Sequence, residues 1–474
     1  MKSLLDAIAR RADEAPTALA VCQGERQWDQ RTLWQAVCQQ AQWLQHQLRA
    51  SSPGRPIALA ADNSIEWIFA DLACLLAGVP CVPVPGFFTD AQRQHLLRDS
   101  GCLALWRPDH TAPDWQWLDY PAVNLPEGCC KVTYTSGSTG EPKGVCLAAE
   151  ALQRTVLALA ERLQGLTVRR HLCTMPLAVL LENLAGVYLP LWLGTPIELV
   201  PLATLGLADL QRPDPRQFLS SLAGSTADSL ILLPATLGWL LQGVSSGMLS
   251  AQRWQLLAVG GGKTSQQMLH QAQQLGLPVF EGYGLSEVGS VAALNGPGLN
   301  RMGSVGKPLS HVEIRLAADG EVLIRGNTML GYLGESSPGS PWLATGDLGA
   351  WDSQGYLTIL GRKKSTLVTA LGRNVNPEWI EAELLARPGV LQAFVYGDEQ
   401  QGIRALLFAP GLQSPEALAA LLAQCNAQLP GYARLEGATV IDTPFSHQQG
   451  ELTSNGRLRR HVIARQRLPQ QEQV

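Results

Sequence analysis

The chain has 474 residues, of which 46% are hydrophobic and 16% are charged. Its 36 basic and 40 acidic residues leave a formal net charge of −4. This balance argues against a dedicated nucleic-acid binder, which carries a basic excess, and the apolar content excludes a disordered chain. The length predicts roughly two to four globular domains, and an enzyme is the class that remains.

The start of the chain and its longest apolar stretches predict neither a signal peptide nor a transmembrane segment. Arg10 and Arg11 interrupt the first apolar positions, so no secretory core can form there. Residues 67–85 and 177–193 each contain an acidic residue, and we expect them to form buried helices and strands. The ten cysteines form no C-x-x-C pair, which is typical of reduced thiols in a cytoplasmic enzyme.

Strand-like and helix-like segments alternate over the first 130 residues. Residues 18–22 and 57–61 have the character of strands, and residues 34–48 carry apolar side chains at helical spacing. Residues 62–64 are a candidate N-cap for a helix that ends at Ala77. Strand-like runs return at 229–233, 255–259 and 279–280. This β-α-β order predicts helices packed on a largely parallel sheet.

The predicted secondary structure changes twice in the second half of the sequence. Short β-like segments with turns occupy residues 311–359, and a new series of strands and helices begins after residue 361. We therefore predict an α/β fold with a large N-terminal domain of α/β layers and a short β-rich subdomain over residues 1–361. A hinge would join it to a small mobile α+β C-terminal domain over residues 362–474.

The strongest chemical motif is the segment YTSGSTGEPKG at residues 134–144, which follows a predicted strand. Its three glycines allow backbone N–H groups to approach an anion, its four Ser/Thr hydroxyls add donors, and its lysine adds a positive charge. This composition predicts a loop that holds a polyphosphate. The predicted ligands are Thr135, Ser136, Gly137, Ser138, Thr139, Gly140 and Lys143.

This segment resembles the signature loop of the adenylate-forming (AMP-binding) superfamily, which includes acyl-CoA synthetases, peptide-synthetase adenylation domains and luciferases. Further motifs follow in the family's order. Residues 283–287 (YGLSE) resemble its Y-G-x-T-E motif, residues 345–347 its T-G-D motif, and residues 361–365 (GRKKS) the next one. The resemblance covers essentially the whole chain, and the local motifs are most similar to those of long-chain fatty acyl-CoA synthetases.

The resemblance implies a role for each matching residue. Ser286 and Glu287 would serve the reacting phosphate, and Glu287 would also bind Mg²⁺. Tyr283 would lie against the adenine, while Asp347 and Arg362 would bind the ribose. The remaining implied positions are Gly260, Gly261 and Gly262 beside the adenine, Lys364 at the hinge, and Leu177, Ala178 and Leu181 along the acyl pocket.

The last family motif differs at its catalytic position. The family has a lysine between a glycine and an apolar residue, and this chain has Arg457. Arginine keeps the charge but replaces a point ammonium by a planar fork. We expect Arg457 to bridge the substrate carboxylate and the α-phosphate, with a slower first step.

The reaction implied by the resemblance is ATP-dependent activation of a small-molecule carboxylic acid to acyl-AMP, with release of pyrophosphate. The acyl group would then pass to a thiol, either of CoA or of a carrier protein's phosphopantetheine. A fatty or other apolar acid is favoured, because Leu177 stands where amino-acid-activating relatives usually place an Asp. The five arginines at residues 457–467 form either a solvated helical face or a basic patch for CoA or an acyl carrier protein.

Two alternatives stay open on the sequence. The first is a ligase that loads a carrier protein or forms an amide, since the motifs do not specify the acceptor. The second is a degenerate relative that binds nucleotide with little turnover, for which Arg457 is the support.

Overall fold

The computed structural model describes residues 4–49, 54–108, 113–136, 142–209, 213–335, 340–368, 373–398, 402–412, 414–453 and 456–469. In these ranges the α-helices are α1 (Leu4–Glu14), α2 (Gln30–Arg49), α3 (Ile65–Ala77), α4 (Asp90–Asp99), α5 (Ala149–Arg162), α6 (Leu189–Leu193), α7 (Pro215–Gly224), α8 (Pro234–Ser245), α9 (Gln266–Gln274), α10 (Pro377–Leu385), α11 (Pro415–Asn426) and α12 (Arg460–Arg467). A π-helix at Glu182–Tyr188 leads into α6, and one-turn 3₁₀-helices lie at Ala251–Arg253, Ser286–Val288, Lys363–Ser365 and Gly431–Ala433.

The strands in the same ranges are β1 (Leu19–Gln23), β2 (Arg26–Asp29), β3 (Ile57–Leu59), β4 (Cys81–Pro83), β5 (Ala104–Pro108), β6 (Pro113–Trp117), β7 (Cys129–Ser136), β8 (Pro142–Ala148), β9 (His171–Cys173), β10 (Ile197–Leu199), β11 (Ser229–Leu232), β12 (Leu256–Val259), β13 (Val279–Tyr283), β14 (Ala293–Leu294), β15 (Lys307–Pro308), β16 (Val312–Leu316), β17 (Glu321–Gly326), β18 (Gly331–Tyr332), β19 (Leu343–Trp351), β20 (Leu357–Arg362), β21 (Leu367–Val368), β22 (Asn374–Val375), β23 (Gln392–Asp398), β24 (Gly402–Phe408) and β25 (Leu435–Val440).

Two large mixed sheets form the main body. One has the order β15-β14-β13-β12-β11-β9-β10-β1-β2, and the other has the order β18-β8-β7-β4-β3-β5-β6. The central strands of both sheets pair in parallel, whereas the strands at their edges pair antiparallel. One buried cluster contains side chains of both sheets and of α2, α3 and α5, so these helices and sheets share a single core. This arrangement confirms the predicted α/β class.

Two smaller sheets lie further along the chain. The antiparallel order β16-β17-β19-β20 forms the predicted β-rich subdomain. The sheet β23-β24-β25 packs with α10 and α11 around its own buried cluster. We call α1 to β20 the N-terminal unit and β21 to α12 the C-terminal unit.

Local sequence signals explain where several helices begin and end. The Ser64 side chain accepts a hydrogen bond from the backbone N–H of Trp67 at the start of α3, and Gly78 ends this helix in the left-handed region at a φ of 69°. Helix α10 begins with Pro377 in its first turn, and the Asn376 side chain accepts from the N–H of Glu378. The helix predicted from 62–64 to Ala77 is therefore confirmed, with both caps at the expected residues.

A buried ion pair joins α3 to β7 within the main core. Nζ of Lys131 lies 2.7 Å from Oδ1 of Asp71, and it also donates to Oδ1 of Asn183 at 2.5 Å. The second oxygen of Asp71 accepts from Nδ2 of Asn183 and from the hydroxyl of Tyr188, at 2.9 and 2.7 Å. Both partners on the π-helix are buried. The acidic residue that interrupts the apolar stretch 67–85 thus has a structural role in the core.

The described part of the chain contains no helix of the length and apolar character needed to cross a membrane. All ten cysteines are free thiols.

Candidate active site

A cleft of about 1920 Å³ lies between the N-terminal and C-terminal units. Residues from motifs far apart in the sequence line this one cleft, namely Thr135, Lys143, Gly261, Gly262, Tyr283, Glu287, Asp347, Arg362, Lys364 and Arg457. Parallel strands of the nine-stranded sheet end at the cleft, as expected for a ligand site of an α/β fold. The tertiary structure therefore brings these ten predicted site residues together.

Asp347 is the centre of a polar group on one wall of the cleft. Its Oδ2 accepts a hydrogen bond of 2.7 Å from the hydroxyl of Tyr283, and its Oδ1 lies 3.0 Å from Nε of Arg362. The guanidinium also donates to the carbonyl of Thr345 at 2.9 Å. Burial raises the pKa of Asp347, and Arg362 and Tyr283 oppose that rise. The contacts to Tyr283 and Arg362 stabilise a carboxylate that is 6% exposed.

Glu287 lies on the 3₁₀-helix Ser286–Val288 and faces the same cleft. Its Oε1 accepts a hydrogen bond of 2.9 Å from the hydroxyl of Tyr332, a residue on β18. The loop before it is tightly packed: a Cβ on Gly284 would lie 1.7 Å from the carbonyl oxygen of Ser290, so a side chain cannot be accommodated there. Ser290 itself has a φ of 86°, which is strained for a residue with a side chain.

Lys143 lies on β8, directly across the β7–β8 ladder from Thr135. Its Nζ is 2.8 Å from Oε1 of Glu335 and 5.1 Å from the centre of the Tyr332 ring. Both members of the ion pair are about half exposed. Ser136 ends β7, and the predicted phosphate ligands Gly137, Ser138, Thr139 and Gly140 lie outside the described residues.

Arg457 reaches from the C-terminal unit into the cleft. Its Nη2 donates to the carbonyl oxygen of Gly261 at 3.4 Å, across 196 residues of sequence. Its own backbone N–H donates to Oγ1 of Thr453 at 3.0 Å, within the turn that carries it. The side chain remains exposed to the cleft. The arginine at the position of the family's lysine thus points towards the other predicted site residues.

The connection between the two units is closely packed around Gly361. This residue has a φ of 143°, and a Cβ there would lie 1.5 Å from Nδ2 of Asn376, so only glycine fits. Lys364 follows on the 3₁₀-helix Lys363–Ser365 and lines the cleft. The neighbouring Lys363 forms ion pairs with Asp319 and with Glu321, at 2.5 and 2.9 Å.

The residues predicted for the acyl pocket lie elsewhere. Leu177 and Ala178 are buried in the main core and Leu181 packs against it, and none of these three described residues lines the cleft. Gly260 lies within the loop that contributes Gly261 to the cleft. Apolar side chains of this kind belong to a core by default, so their part in acyl binding stays a prediction.

Two of the five arginines in the basic segment at residues 457–467 form ion pairs within the C-terminal unit. Arg460 lies 2.5 Å from Oε2 of the buried Glu381 and donates to the carbonyl of Val395. Arg467 lies 2.5 Å from Oε1 of the buried Glu451. These two arginines hold the C-terminal unit together, which favours the structural interpretation of the segment over a free basic patch.

Sequence reasoning missed two residues that line the cleft, Tyr332 and Lys363, and a third, Glu335, that pairs with the cleft residue Lys143. Tyr332 and Glu335 contact predicted site residues but belong to no motif. Lys363 lies inside a recognised motif, yet its acidic partners are more than 40 residues away. Local spacing carries no signal for such contacts.

The side chains in the cleft fit a magnesium nucleotide. Hard oxygen ligands suit Mg²⁺, and the carboxylate of Glu287 faces the cleft that Lys143 also lines. A carboxylate such as Asp347 can accept hydrogen bonds from the hydroxyls of a ribose. The cleft volume is ample for ATP together with an acid.

Two protein-family models match most of the chain. A family described as AMP-binding enzyme matches residues 8–333, and the AMP-binding enzyme C-terminal domain matches residues 364–467. The long-chain-fatty-acid–CoA ligase FadD15 of Mycobacterium bovis is 33% identical over 235 residues, which are 43% of this chain and only 39% of that ligase. The 2-succinylbenzoate–CoA ligase of Bacillus velezensis is 27% identical over 433 residues, 83% of this chain and 84% of that protein.

Solved structures show the same fold. The anthranilate CoA ligase AuaEII, in complex with anthranoyl-AMP, has a TM-score of 0.81 at 19% identity and covers 97% of this chain and 96% of its own. The Bacillus subtilis o-succinylbenzoate CoA synthetase MenE, with its acyl-adenylate intermediate, has a TM-score of 0.77 at 23% identity and covers 99% of both chains. The same synthetase has also been solved with ATP and a magnesium ion. The order of the motifs, their meeting in one cleft and the match over both units have one explanation: the chain belongs to the AMP-binding enzyme family.

Proposed function

We propose that this protein is an AMP-forming acid–thiol ligase. It activates a carboxylic acid with ATP to an acyl-AMP and releases pyrophosphate, and then transfers the acyl group to the thiol of CoA with release of AMP. The observation that carries the proposal is the meeting of Glu287, Asp347 and Arg457 in one cleft, although 170 residues separate the first from the last. The relatives named above support a CoA acceptor, since their names describe acid–CoA ligases.

In the first half-reaction the protein acts mainly by positioning and by electrostatic stabilisation. Asp347 and Arg362 bind the ribose, and Tyr283 lies beside the adenine. Lys143 and the loop at residues 135–140 bind the β- and γ-phosphates. Glu287 would hold Mg²⁺, which would neutralise phosphate charge. Ser286 and Arg457 stabilise the charge that develops as the substrate carboxylate attacks the α-phosphorus.

In the second half-reaction the C-terminal unit rotates about Lys364. The proposed domains are residues 1–361 as the adenylation core and 362–474 as a mobile lid. Rotation withdraws Arg457 from the cleft and admits a thiol to the acyl carbonyl, which is a hinge movement of a known kind. Gly361 is the residue beside the hinge whose backbone conformation excludes other side chains.

The proposed acid is fatty or otherwise apolar, because Leu177 places no charged group for an amino acid on the predicted acyl segment. A carrier protein's phosphopantetheine is the alternative acceptor. The ten free thiols of the chain are compatible with a cytoplasmic location.

The test is ATP–pyrophosphate exchange across a panel of carboxylic acids, followed by competition between CoA and an acyl carrier protein. We expect exchange with apolar acids and thioester formation with CoA. Nucleotide binding without exchange for any acid would contradict the proposal and favour a binding protein. Lys143→Ala and Glu287→Ala should each weaken exchange strongly, with Glu416→Gln on the exposed face of α11 as the control.

Arg457→Lys addresses the departure from the family motif. Lys restores a point charge at the same position, so we expect the adenylation rate to rise. An unchanged or lower rate would mean that the site is adapted to the planar guanidinium, which donates to Gly261 in this structure.

A further inference from the structure

A second contact between the two units involves Glu383 and helix α9. Glu383 lies on α10 of the C-terminal unit and is 2% exposed. Its Oε1 accepts a hydrogen bond of 3.2 Å from the backbone N–H of Gln266, the first residue of α9 in the N-terminal unit. The two residues are 117 positions apart and belong to different units. The contact therefore exists only when the units are docked in this orientation.

The N-terminus of α9 is suited to an acidic partner. The first N–H groups of a helix have no intrahelical acceptor, and the helix dipole adds partial positive charge there. Ser265 satisfies the N–H of Met268 at 3.1 Å, while the N–H of Gln266 is directed to Glu383. Burial raises the pKa of Glu383, and the N–H of Gln266, the charge of Arg387 in its own unit and the charge of Lys263 oppose that rise.

The second carboxylate oxygen of Glu383 makes no hydrogen bond within the described part of its own unit. Oε2 is buried and has no hydrogen-bond partner among the described residues. A buried carboxylate without partners is costly. Among the described residues, the N–H of Gln266 is the hydrogen-bond donor that offsets this cost for Glu383.

The contact lies close to the catalytic arginine's own contact. Arg457 donates to Gly261 and Glu383 accepts from Gln266, so both join the C-terminal unit to a segment of six residues, 261–266. The Glu383 contact is the more buried of the two. Holding this segment therefore also fixes where Arg457 enters the cleft.

We infer that Glu383 is a positioning residue for adenylation: by docking on the first turn of α9 it holds the C-terminal unit in the orientation that places Arg457 in the cleft. This inference rests on the proposed function for its kinetic consequence. The contact breaks when the lid rotates, so Glu383 favours the first half-reaction over the second.

The kinetic test removes the contact from each side. Glu383→Ala removes the acceptor, and Gln266→Pro removes the N–H at a helix position that tolerates proline. Ser265 precedes it with a φ of −70° and a ψ of 147°, which suits a residue before proline. Gln266→Ala is the matched control, because it keeps the N–H.

We expect ATP–pyrophosphate exchange to fall about tenfold in both variants, the size of a lost hydrogen bond to a charged group. Thioester formation from synthetic acyl-AMP and CoA should be unchanged or faster, and Gln266→Ala should behave as the wild type. An equal loss in both half-reactions, or no loss in either, would overturn the inference. The double variant should be no worse than either single one, since both remove the same contact.

A readout without turnover separates this inference from the proposed function. Hydrogen–deuterium exchange of the wild type should show protected amides at residues 263–268, and Glu383→Ala should raise their exchange about tenfold. If deuterium exchange rises in the Glu383 variant but the wild type activates no acid, the docking contact is supported and the proposed ligase function is wrong. Unchanged deuterium uptake would overturn the docking contact itself, whatever the activity.

Discussion

Nζ of Lys143 lies 2.8 Å from Oε1 of Glu335, so the cation predicted to meet the triphosphate is already paired with a carboxylate. The two residues are 192 positions apart. Glu335 is half exposed and follows β18, whose Tyr332 ring lies beneath the same ammonium group. ATP must therefore compete with Glu335 for Lys143.

Replacing Glu335 by Gln should lower the KM for ATP. The exposed ion pair stabilises the nucleotide-free state by about 0.2–1 kcal/mol, which corresponds to a decrease of up to about fivefold. Initial rates of pyrophosphate exchange against ATP concentration measure this. The exposed Glu25→Gln is the control, and a raised KM would indicate that Glu335 instead helps to hold the nucleotide.

Replacing Tyr283 by Phe should weaken ATP binding about tenfold, since it removes a hydrogen bond to a charged group. The hydroxyl of Tyr283 donates to Asp347 at 2.7 Å and helps to orient that carboxylate. Calorimetric titration with a non-hydrolysable ATP analogue measures the change. Tyr432 is half exposed, and the control variant Tyr432→Phe should leave the affinity for the ATP analogue unaltered. An unaltered affinity in Tyr283→Phe would show that ATP binding does not depend on the hydrogen bond that orients Asp347.

Replacing Lys131 by Met should lower the free energy of unfolding by about 3–5 kcal/mol, because it leaves the buried Asp71 without its cation. Adding Asp71→Asn should recover part of the loss, since the uncompensated charge is then removed. Thermal unfolding of the single and double variants measures both effects. A double variant less stable than Lys131→Met would show that the polar network, rather than its charge balance, dominates the stability.

The stability contributed by Glu281 should depend on pH. Burial raises the pKa of Glu281 to about 7, against the effects of Lys263 and of the N–H of Gly303, which donates to Oε2 at 3.0 Å. A carboxyl with a raised folded pKa favours folding in its protonated form. Its contribution is therefore complete below the unfolded pKa of about 4.5 and is lost as the pH rises through 7.

Glu281→Gln removes this titration. The variant should match the wild type near pH 5 and exceed it above pH 8, by up to about 3 kcal/mol. Midpoints of thermal unfolding between pH 5 and 8.5 provide the measurement. Parallel curves for the two proteins would contradict the raised pKa.

Short-range signals predicted the elements that depend on them. Ser64 and Gly78 cap α3 as their residue types require, and the alternation of strands and helices led to the correct fold class. The π-helix at Glu182–Tyr188 had no such signal. Its buried Asn183 and Tyr188 are explained only by the ion pair that they surround.

The motifs can be identified without a structure, because a phosphate loop or a T-G-D turn needs particular residue types at neighbouring positions. The identity of Asp347, Arg362 and Arg457 as site candidates came from there. The pairing of Glu335 with Lys143 and the contact of Glu383 with α9 became visible only in the folded structure. Those contacts depend on how the sheets and the two units pack. Local residue spacing carries no information about contacts between side chains that are more than a hundred residues apart.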